Sequence, residues 1–201
     1  DGILAPGAFI EIAEETGLIV PIGEWVIRSA CTQLVAFQND PATRDLTIAV
    51  NLSARQLAQP DIAEVIADIV KTSGAPADRL KLEITESMLL TNIDQTIEKM
   101  ASLSELGIRF SLDDFGTGYS SLGYLKKLPL SQLKVDQSFV KGLLTDPVDS
   151  AIVRTIIQLA KSLGMSVIAE GVELEGQRQA LASMGCKEFQ GYLFGKPTPI
   201  A

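Results

Sequence analysis

The chain has 201 residues, with 17 basic and 25 acidic side chains, a formal net charge of −8 and no histidine. The lack of histidine excludes Ser-His-Asp and Cys-His catalysis and histidine-ligated zinc. The acidic balance argues against a nucleic acid polymer as partner, because such binding requires a basic face. Cys31 and Cys186 form no disulfide framework, and we expect two buried thiols in a reducing compartment.

Two kinds of sequence segment alternate along the chain and give the order of the predicted elements. Two helical segments open the chain, and we expect Trp25 in the helix core of this region. Short β-branched runs then predict six strands, at residues 46–51, 80–85, 108–114, 133–136, 165–170 and, more weakly, 188–193. Apolar residues at helical spacing predict helices between them, in 62–70, 93–103 and 153–163. Asp61 with Glu64 resembles a capping box. We expect core positions for Tyr192 and Phe194, with positions beside a bound base as the alternative.

Alternating strands and helices predict an α/β fold with a parallel sheet covered by helices. The sequence leaves open whether this sheet is open or closed. A (β/α)8 barrel needs eight strands and about 250 residues. Six predicted strands in 201 residues are consistent with a barrel without its first two strands.

Each predicted strand ends in polar residues that can bind a metal ion or a phosphate. They are Asn51, Glu83 with Glu86, Asp113 and Asp114, Lys134 with Asp136, Glu170 with Glu173, and Gln190. In parallel α/β folds the carboxyl ends of the strands face one opening. A single acidic residue there is usually a helix cap or a solvated loop residue, but six strand ends in register favour a site. Oxygen ligands of this kind suit Mg²⁺ or Mn²⁺.

Residues 113–122, with the sequence DDFGTGYSSL, join an acidic pair to two glycines and three hydroxyl groups. By composition alone, a plain strand-to-helix loop explains this segment as well as a binding loop does. The glycine spacing fits neither a P-loop nor a dinucleotide-binding fingerprint.

Together the motifs resemble those of a known family. They are NLS at 51–53, EITE at 83–86, DDFGTGYSSL at 113–122, LKVD at 133–136, AEGVE at 169–173 and QGY at 190–192. In this order and spacing they resemble the EAL family of bacterial cyclic-di-GMP phosphodiesterases. The resemblance implies a modified TIM barrel with one antiparallel strand near its N-terminus. It also implies hydrolysis of cyclic di-GMP to linear pGpG with Mg²⁺ or Mn²⁺, and two bound ions.

The resemblance implies metal ligands at four positions. Asn51, Glu83 and Asp113 would bind the first ion, and Asp113 and Asp114 would face the second. Two cations suit the reaction, because they neutralise a phosphodiester and lower the pKa of a bridging water. This chemistry needs no imidazole.

Six further residues surround the ligands in this interpretation. Glu170 would position or activate the attacking water, or bind metal, and Lys134 would steady the water or the phosphate. Gln190, Glu173 and Asp136 would position substrate and water. Glu86 would anchor the loop that begins at Asp113.

The sequence departs from the family pattern in one respect, since it contains no Glu-Ala-Leu tripeptide. The family takes its name from that tripeptide, whose Glu is a metal ligand on an early strand. We therefore interpret residues 1–201 as one EAL domain that is incomplete at its N-terminus. A chain that truly began at Asp1 would lack one ligand and is expected to be inactive.

Two alternatives to an active enzyme remain. A non-catalytic receptor would bind cyclic di-GMP and pass a signal on, whereas a structural or dimerisation module would bind no nucleotide. The resemblance further implies a homodimer, a fused sensory or diguanylate cyclase-like domain, and a cytoplasmic location, with the possibility of a membrane-anchored sensor upstream.

Overall fold

A computed structural model describes residues 5–90, 92–117 and 122–198. Two compact units divide the chain. The first holds residues up to 84 together with 88–110, and the second holds 85–87 together with residues from 111 onward. None of the helices in these described ranges has the length and hydropathy needed to cross a membrane.

The described elements alternate along the chain as predicted. The helices are α1 (Ile10–Thr16), α2 (Ile19–Gln38), α3 (Ala54–Leu57), α4 (Ile62–Ser73), α5 (Ile93–Glu105), α6 (Leu122–Leu125), α7 (Gln137–Gly142), α8 (Pro147–Ser162) and α9 (Glu175–Met184). The strands are β1 (Ile48–Asn51), β2 (Leu80–Thr85), β3 (Arg109–Phe115), β4 (Gln132–Val135), β5 (Ser166–Ala169) and β6 (Glu188–Phe189). Short 3-10 helices lie at Pro6–Ala8, Ala77–Arg79 and Glu86–Leu90.

In the first unit, β1 and β2 pair in parallel, and Asn51 is the register partner of Glu83. Helix α2 packs on α4, and α4 packs on α5. The apolar spacing of α4 explains this packing, because Ile62, Ile66 and Ile69 lie on one face and are buried.

The prediction of a core position for Trp25 is wrong, since 68% of this residue is exposed. The buried face of α2 includes Gly23, Ile27 and Leu34. A residue midway between positions 23 and 27 points about 200° away from them, because each helical residue turns the chain by about 100°. Trp25 therefore lies on the outer face of its helix.

In the second unit, β3, β4, β5 and β6 follow one another in chain order. Each adjacent pair is parallel, and helix α8 packs on β4 and β5. Strand β4 is buried along its whole length, which is typical of a strand covered on both faces. The predicted α/β class with parallel strands is confirmed.

The sixth strand is shorter than predicted, and the residues after it do not enter the core. Beyond Phe189 the chain turns, and the carbonyl of Gly191 accepts hydrogen bonds from the N–H groups of Phe194 and Gly195. Tyr192 and Phe194 are 61% and 56% exposed, so the prediction of core positions for them is wrong. A turn cannot bury side chains on a sheet face as a strand does.

Helix ends agree in part with the sequence. Gly74 and Gly185 end α4 and α9 in the left-handed conformation that is typical of a glycine at this position. Asp61 occupies the N-cap position of α4, but its side chain makes no capping hydrogen bond, so the predicted capping box is absent there. Cys31 and Cys186 are buried free thiols, and burial raises the pKa of both.

Hydrogen bonds from the Lys99 side chain contribute to the packing of the first unit. Its Nζ donates hydrogen bonds to the carbonyls of Leu57, at 2.9 Å, and Gln59, at 2.8 Å. Replacing Lys99 by methionine removes the ammonium group that donates both hydrogen bonds. We expect the free energy of unfolding to fall by about 2 kcal/mol. Urea denaturation measures the change, with the exposed Lys71→Met as the matched control. An unchanged midpoint for Lys99→Met would contradict the role given to these two bonds.

Candidate active site

Asp113 and Asp114 lie near the carboxyl end of β3. Asp114 has φ +54°, the left-handed region that non-glycine residues seldom occupy. Its N–H donates a hydrogen bond to Asp113 Oδ1 at 3.0 Å. The pairing of β3 with β4 is irregular between Leu112 and Phe115. This local bend changes the simple in-and-out alternation of side chains along the strand.

Lys134 lies in the middle of the second unit's sheet and is buried. Its Nζ is 3.0 Å from Asp113 Oδ2 and 2.8 Å from Glu170 Oε1. Only 5% of its side chain is exposed. A buried ammonium group is stable only when negative charges compensate it. Lys134 therefore joins a carboxylate of β3 to the carboxylate that follows β5.

Three carboxylates lie close together around this lysine. Oxygen atoms of Asp113, Asp114 and Glu170 are all within 4.8 Å of one another, and the three side chains are half-buried. We call them the acidic cluster. Among residues 5–90, 92–117 and 122–198, these are the acidic side chains whose spacing suits a metal ion. Hard oxygen donors of this kind suit Mg²⁺ or Mn²⁺.

Burial and neighbouring charges shift the pKa values of two carboxyl groups in and beside the acidic cluster. Burial, followed by the charges of Asp113 and Asp136, raises the pKa of Asp114, and Lys134 opposes this shift. For Asp136, burial alone would raise the pKa, but hydrogen bonds from Ser138 and from the Asp114 carboxyl lower it. Asp136 also caps α7 by accepting from the Ser138 N–H at 2.9 Å. Within this pair Asp114 therefore takes up a proton more readily than Asp136 does.

Glu86 contacts the start of the glycine-rich loop. It is 4% exposed, and its Oε2 accepts a hydrogen bond from the Gly116 N–H at 3.2 Å. The rest of that motif, Gly118, Tyr119, Ser120 and Ser121, lies outside the described residues.

A cavity of about 300 Å³ adjoins Glu170. Among the predicted site residues, Glu173 and Gln190 also line it. Gln137, which is not among the predicted site residues, also lines this cavity, as does Tyr192, for which a place beside a bound base is the alternative to a core position. The position of Gln137 directly after the LKVD motif was the available signal.

A larger cavity, of about 520 Å³, lies beside Met165 and Ser166, at the amino end of β5. No carboxylate lines it within the described part of the chain. In parallel α/β folds, ligands bind at the carboxyl ends of the strands. The acidic cluster and its cavity are therefore the better candidate.

Asn51 and Glu83 belong to the first unit. They end a matched register of β1 and β2, and the N–H of Leu52 donates to the Glu83 carbonyl at 2.9 Å. Asn51 is exposed and Glu83 is half-buried. Their predicted role as metal ligands stays a prediction.

The fold and the acidic cluster define an α/β domain with an acidic centre at the carboxyl ends of parallel strands. A family model described as "EAL domain" matches residues 1–197. The chain belongs to the EAL-domain family, as its motifs predicted.

Sequence relatives include two proteins of Pseudomonas aeruginosa. The chain is 43% identical over 198 residues to the bifunctional diguanylate cyclase/cyclic di-GMP phosphodiesterase MucR, covering 98% of this chain and 29% of MucR. It is 42% identical over 200 residues to the cyclic di-GMP phosphodiesterase NbdA, covering 100% of this chain and 25% of NbdA. The chain thus spans about a quarter of the length of these relatives.

Solved structures show the same fold. The PaMucR phosphodiesterase in a c-di-GMP complex matches with a TM-score of 0.92 and 42% identity, over 98% of this chain and 80% of that one. An EAL domain protein from Listeria monocytogenes matches with a TM-score of 0.86 and 32% identity, over 98% of this chain and 76% of that one. The barrel-type α/β class predicted from the sequence is confirmed by these likenesses.

Proposed function

We propose that this EAL domain hydrolyses cyclic di-GMP to linear pGpG in a metal-dependent reaction. The observation that carries the proposal is the acidic cluster around the buried Lys134. Relatives named as cyclic di-GMP phosphodiesterases, and a neighbour solved with c-di-GMP, supply the substrate.

The acidic cluster fits a divalent cation. Its donors are carboxylate oxygens only, and burial, followed by the charges of Asp113 and Asp136, raises the pKa of Asp114. Mutual repulsion among such groups falls when a cation lies among them. One or two Mg²⁺ or Mn²⁺ ions, when bound, would neutralise the phosphodiester and acidify a water molecule. Asp113 and Asp114 would bind the ions, and the family resemblance implies Asn51 and Glu83 as further ligands.

The chain's own residues account for the rest of the chemistry. Lys134 would place a fixed positive charge beside the phosphate, where negative charge grows during the attack. Glu170 would orient the attacking water and accept its proton. The water oxygen forms the new P–O bond, one ester P–O bond breaks, and the departing ribose oxygen takes up a proton.

Other residues would hold these groups in place. Glu173, Gln190 and Asp136 would position substrate and water, which agrees with the cavity that Glu173 and Gln190 share with Glu170. Glu86 would anchor the loop after β3, which its hydrogen bond to Gly116 supports.

The wider context follows from the resemblance and from the relatives. We propose a homodimer within a cytoplasmic signalling protein that carries a further sensory or diguanylate cyclase-like domain. The bifunctional name of MucR supports such a domain arrangement.

The test is an assay of the full-length parent protein with cyclic di-GMP, with Mg²⁺ or Mn²⁺ present or removed by chelation. We expect pGpG to form only with metal, and Asp113→Asn to lower the rate by about 10²-fold or more. Tight nucleotide binding without turnover would contradict hydrolysis and indicate a receptor. The absence of both nucleotide binding and turnover would overturn the proposal altogether.

A further inference from the structure

The segment after β5, residues 170–174, carries Glu170 and Glu173. We call it the post-β5 loop. The N–H of Glu170 donates to the Val135 carbonyl at 3.1 Å. Val172 donates to Gln190 at 2.9 Å and accepts from Leu193 at 3.0 Å. Backbone hydrogen bonds thus tie the loop to β4 and to the chain after β6.

One side chain ties down the far end of this loop. Gln177, in α9, is 5% exposed. Its Oε1 accepts hydrogen bonds from the N–H groups of Glu173 and Leu174, both at 2.9 Å. Its Nε2 donates to the carbonyl of Val140, in α7, at 3.0 Å. The amide therefore uses both its donor and its acceptor to bridge the loop and α7.

The bridge joins two segments that lie close in sequence to the predicted catalytic residues. Helix α7 begins three residues after Lys134, and the loop begins with Glu170. The backbone of the loop also closely approaches α7, because a Cβ at Gly171 would lie 2.6 Å from Gln137 Cβ. Gln177 contacts α7 at Val140, about one helical turn after Gln137.

We propose that Gln177 is a positioning residue that holds Glu170 and Glu173 at the geometry required for hydrolysis. The catalytic consequence rests on the function proposed above, whereas the ordering of the loop does not. A misplacement of about 1 Å in a catalytic group costs on the order of 10²-fold in rate.

Glutamine is well suited to this position. Its amide accepts two hydrogen bonds through oxygen and donates through nitrogen. Methionine has a similar length and shape but offers neither group, so Gln177→Met would leave two part-buried N–H groups and one buried carbonyl without this partner. Gln177→Glu keeps the acceptor oxygen for Glu173 and Leu174. While it is ionised, the new carboxyl group cannot donate to the Val140 carbonyl and instead repels it.

The experiment compares Gln177→Met with Gln179→Met in the full-length parent protein. Gln179 lies on the same helix but is exposed, and it donates to Glu175. Amide hydrogen exchange reports the order of residues 172–174, and steady-state kinetics with cyclic di-GMP reports kcat and KM separately. For Gln177→Met we expect exchange in the loop to be about tenfold faster and kcat to fall by about 10- to 100-fold. KM should change by less than about threefold, since the contacts with substrate remain.

Gln177→Glu separates positioning from general stability. We expect an intermediate kcat, because two of the three hydrogen bonds survive, and this variant decides the case if Gln177→Met does not fold. Gln179→Met should match the parent protein. A folded Gln177→Met with the parent's kcat would overturn the proposal. So would faster exchange spread over β4 and β5, because that pattern indicates global destabilisation.

Failure of the proposed function gives a different result. If the parent protein itself forms no pGpG, hydrolysis is wrong, and hydrogen exchange alone decides the role of Gln177. Faster exchange confined to residues 172–174 would then support positioning of the loop, and unchanged exchange would refute it.

Discussion

Glu170→Gln is expected to lower kcat for cyclic di-GMP by about 10³-fold while the protein stays folded. The substitution keeps the size of the side chain and an oxygen that can accept from Lys134 Nζ, now 2.8 Å from Glu170 Oε1. It removes the negative charge and the capacity to accept a proton. Lys134 keeps its ion pair with Asp113, so we expect unfolding free energy to change by less than about 2 kcal/mol.

Three measurements check this expectation. Rates of pGpG formation give kcat, calorimetric titration gives nucleotide affinity, and urea denaturation gives stability. The matched control is Glu175→Gln, which removes an exposed carboxylate whose partners are Arg178 and Gln179. Exposed pairs contribute little, so the control should keep kcat within about twofold. Full activity in Glu170→Gln would remove Glu170 from the mechanism.

Gly191→Ala is expected to have the largest effect on stability. A Cβ at Gly191 would lie 2.3 Å from the backbone N and O atoms of Val172, and the φ of Gly191 is +153°. Backbone atoms of a hydrogen-bonded segment cannot move aside as a flexible side chain can. We expect a loss of about 3 kcal/mol or more in unfolding free energy, with Tm lower by about 10 °C.

The same substitution should also lower activity, because Val172 lies in the post-β5 loop between Glu170 and Glu173. Calorimetry and the pGpG assay, carried out well below the new Tm, measure the two effects. Gly195→Ala is the control, since a Cβ there has no atom within 4 Å. We expect its stability to change by less than about 0.5 kcal/mol. Equal Tm values for the two variants would refute the steric argument.

The order of elements and most strand positions could be predicted because they depend on local periodicity. The predicted strand at 80–85 coincides with β2, and the buried face of α4 has the expected apolar spacing. Polar residues at strand ends were found for the same reason, since parallel strands place their carboxyl ends on one side. These features need no knowledge of distant contacts.

Errors arose where a residue's neighbours are distant in sequence or where a turn replaced a strand. Trp25 was assigned to the core for its apolar surroundings, but the rotation of α2 directs it outward. A core position is also predicted for Tyr192, but a turn at Gly191 ends the sheet earlier. Periodicity shows that a helix has an apolar face, and tertiary packing decides which single residues belong to it.

The sequence by itself determined the α/β class, the family motifs and the acidic residues from which a site could be built. Only the tertiary structure decided which of these groups meet. It paired Lys134 with Asp113 and Glu170, gathered three carboxylates within 4.8 Å, and bridged two segments through Gln177. The reason is physical: a buried charge or amide must find partners, and those partners come from strands and helices far apart along the chain.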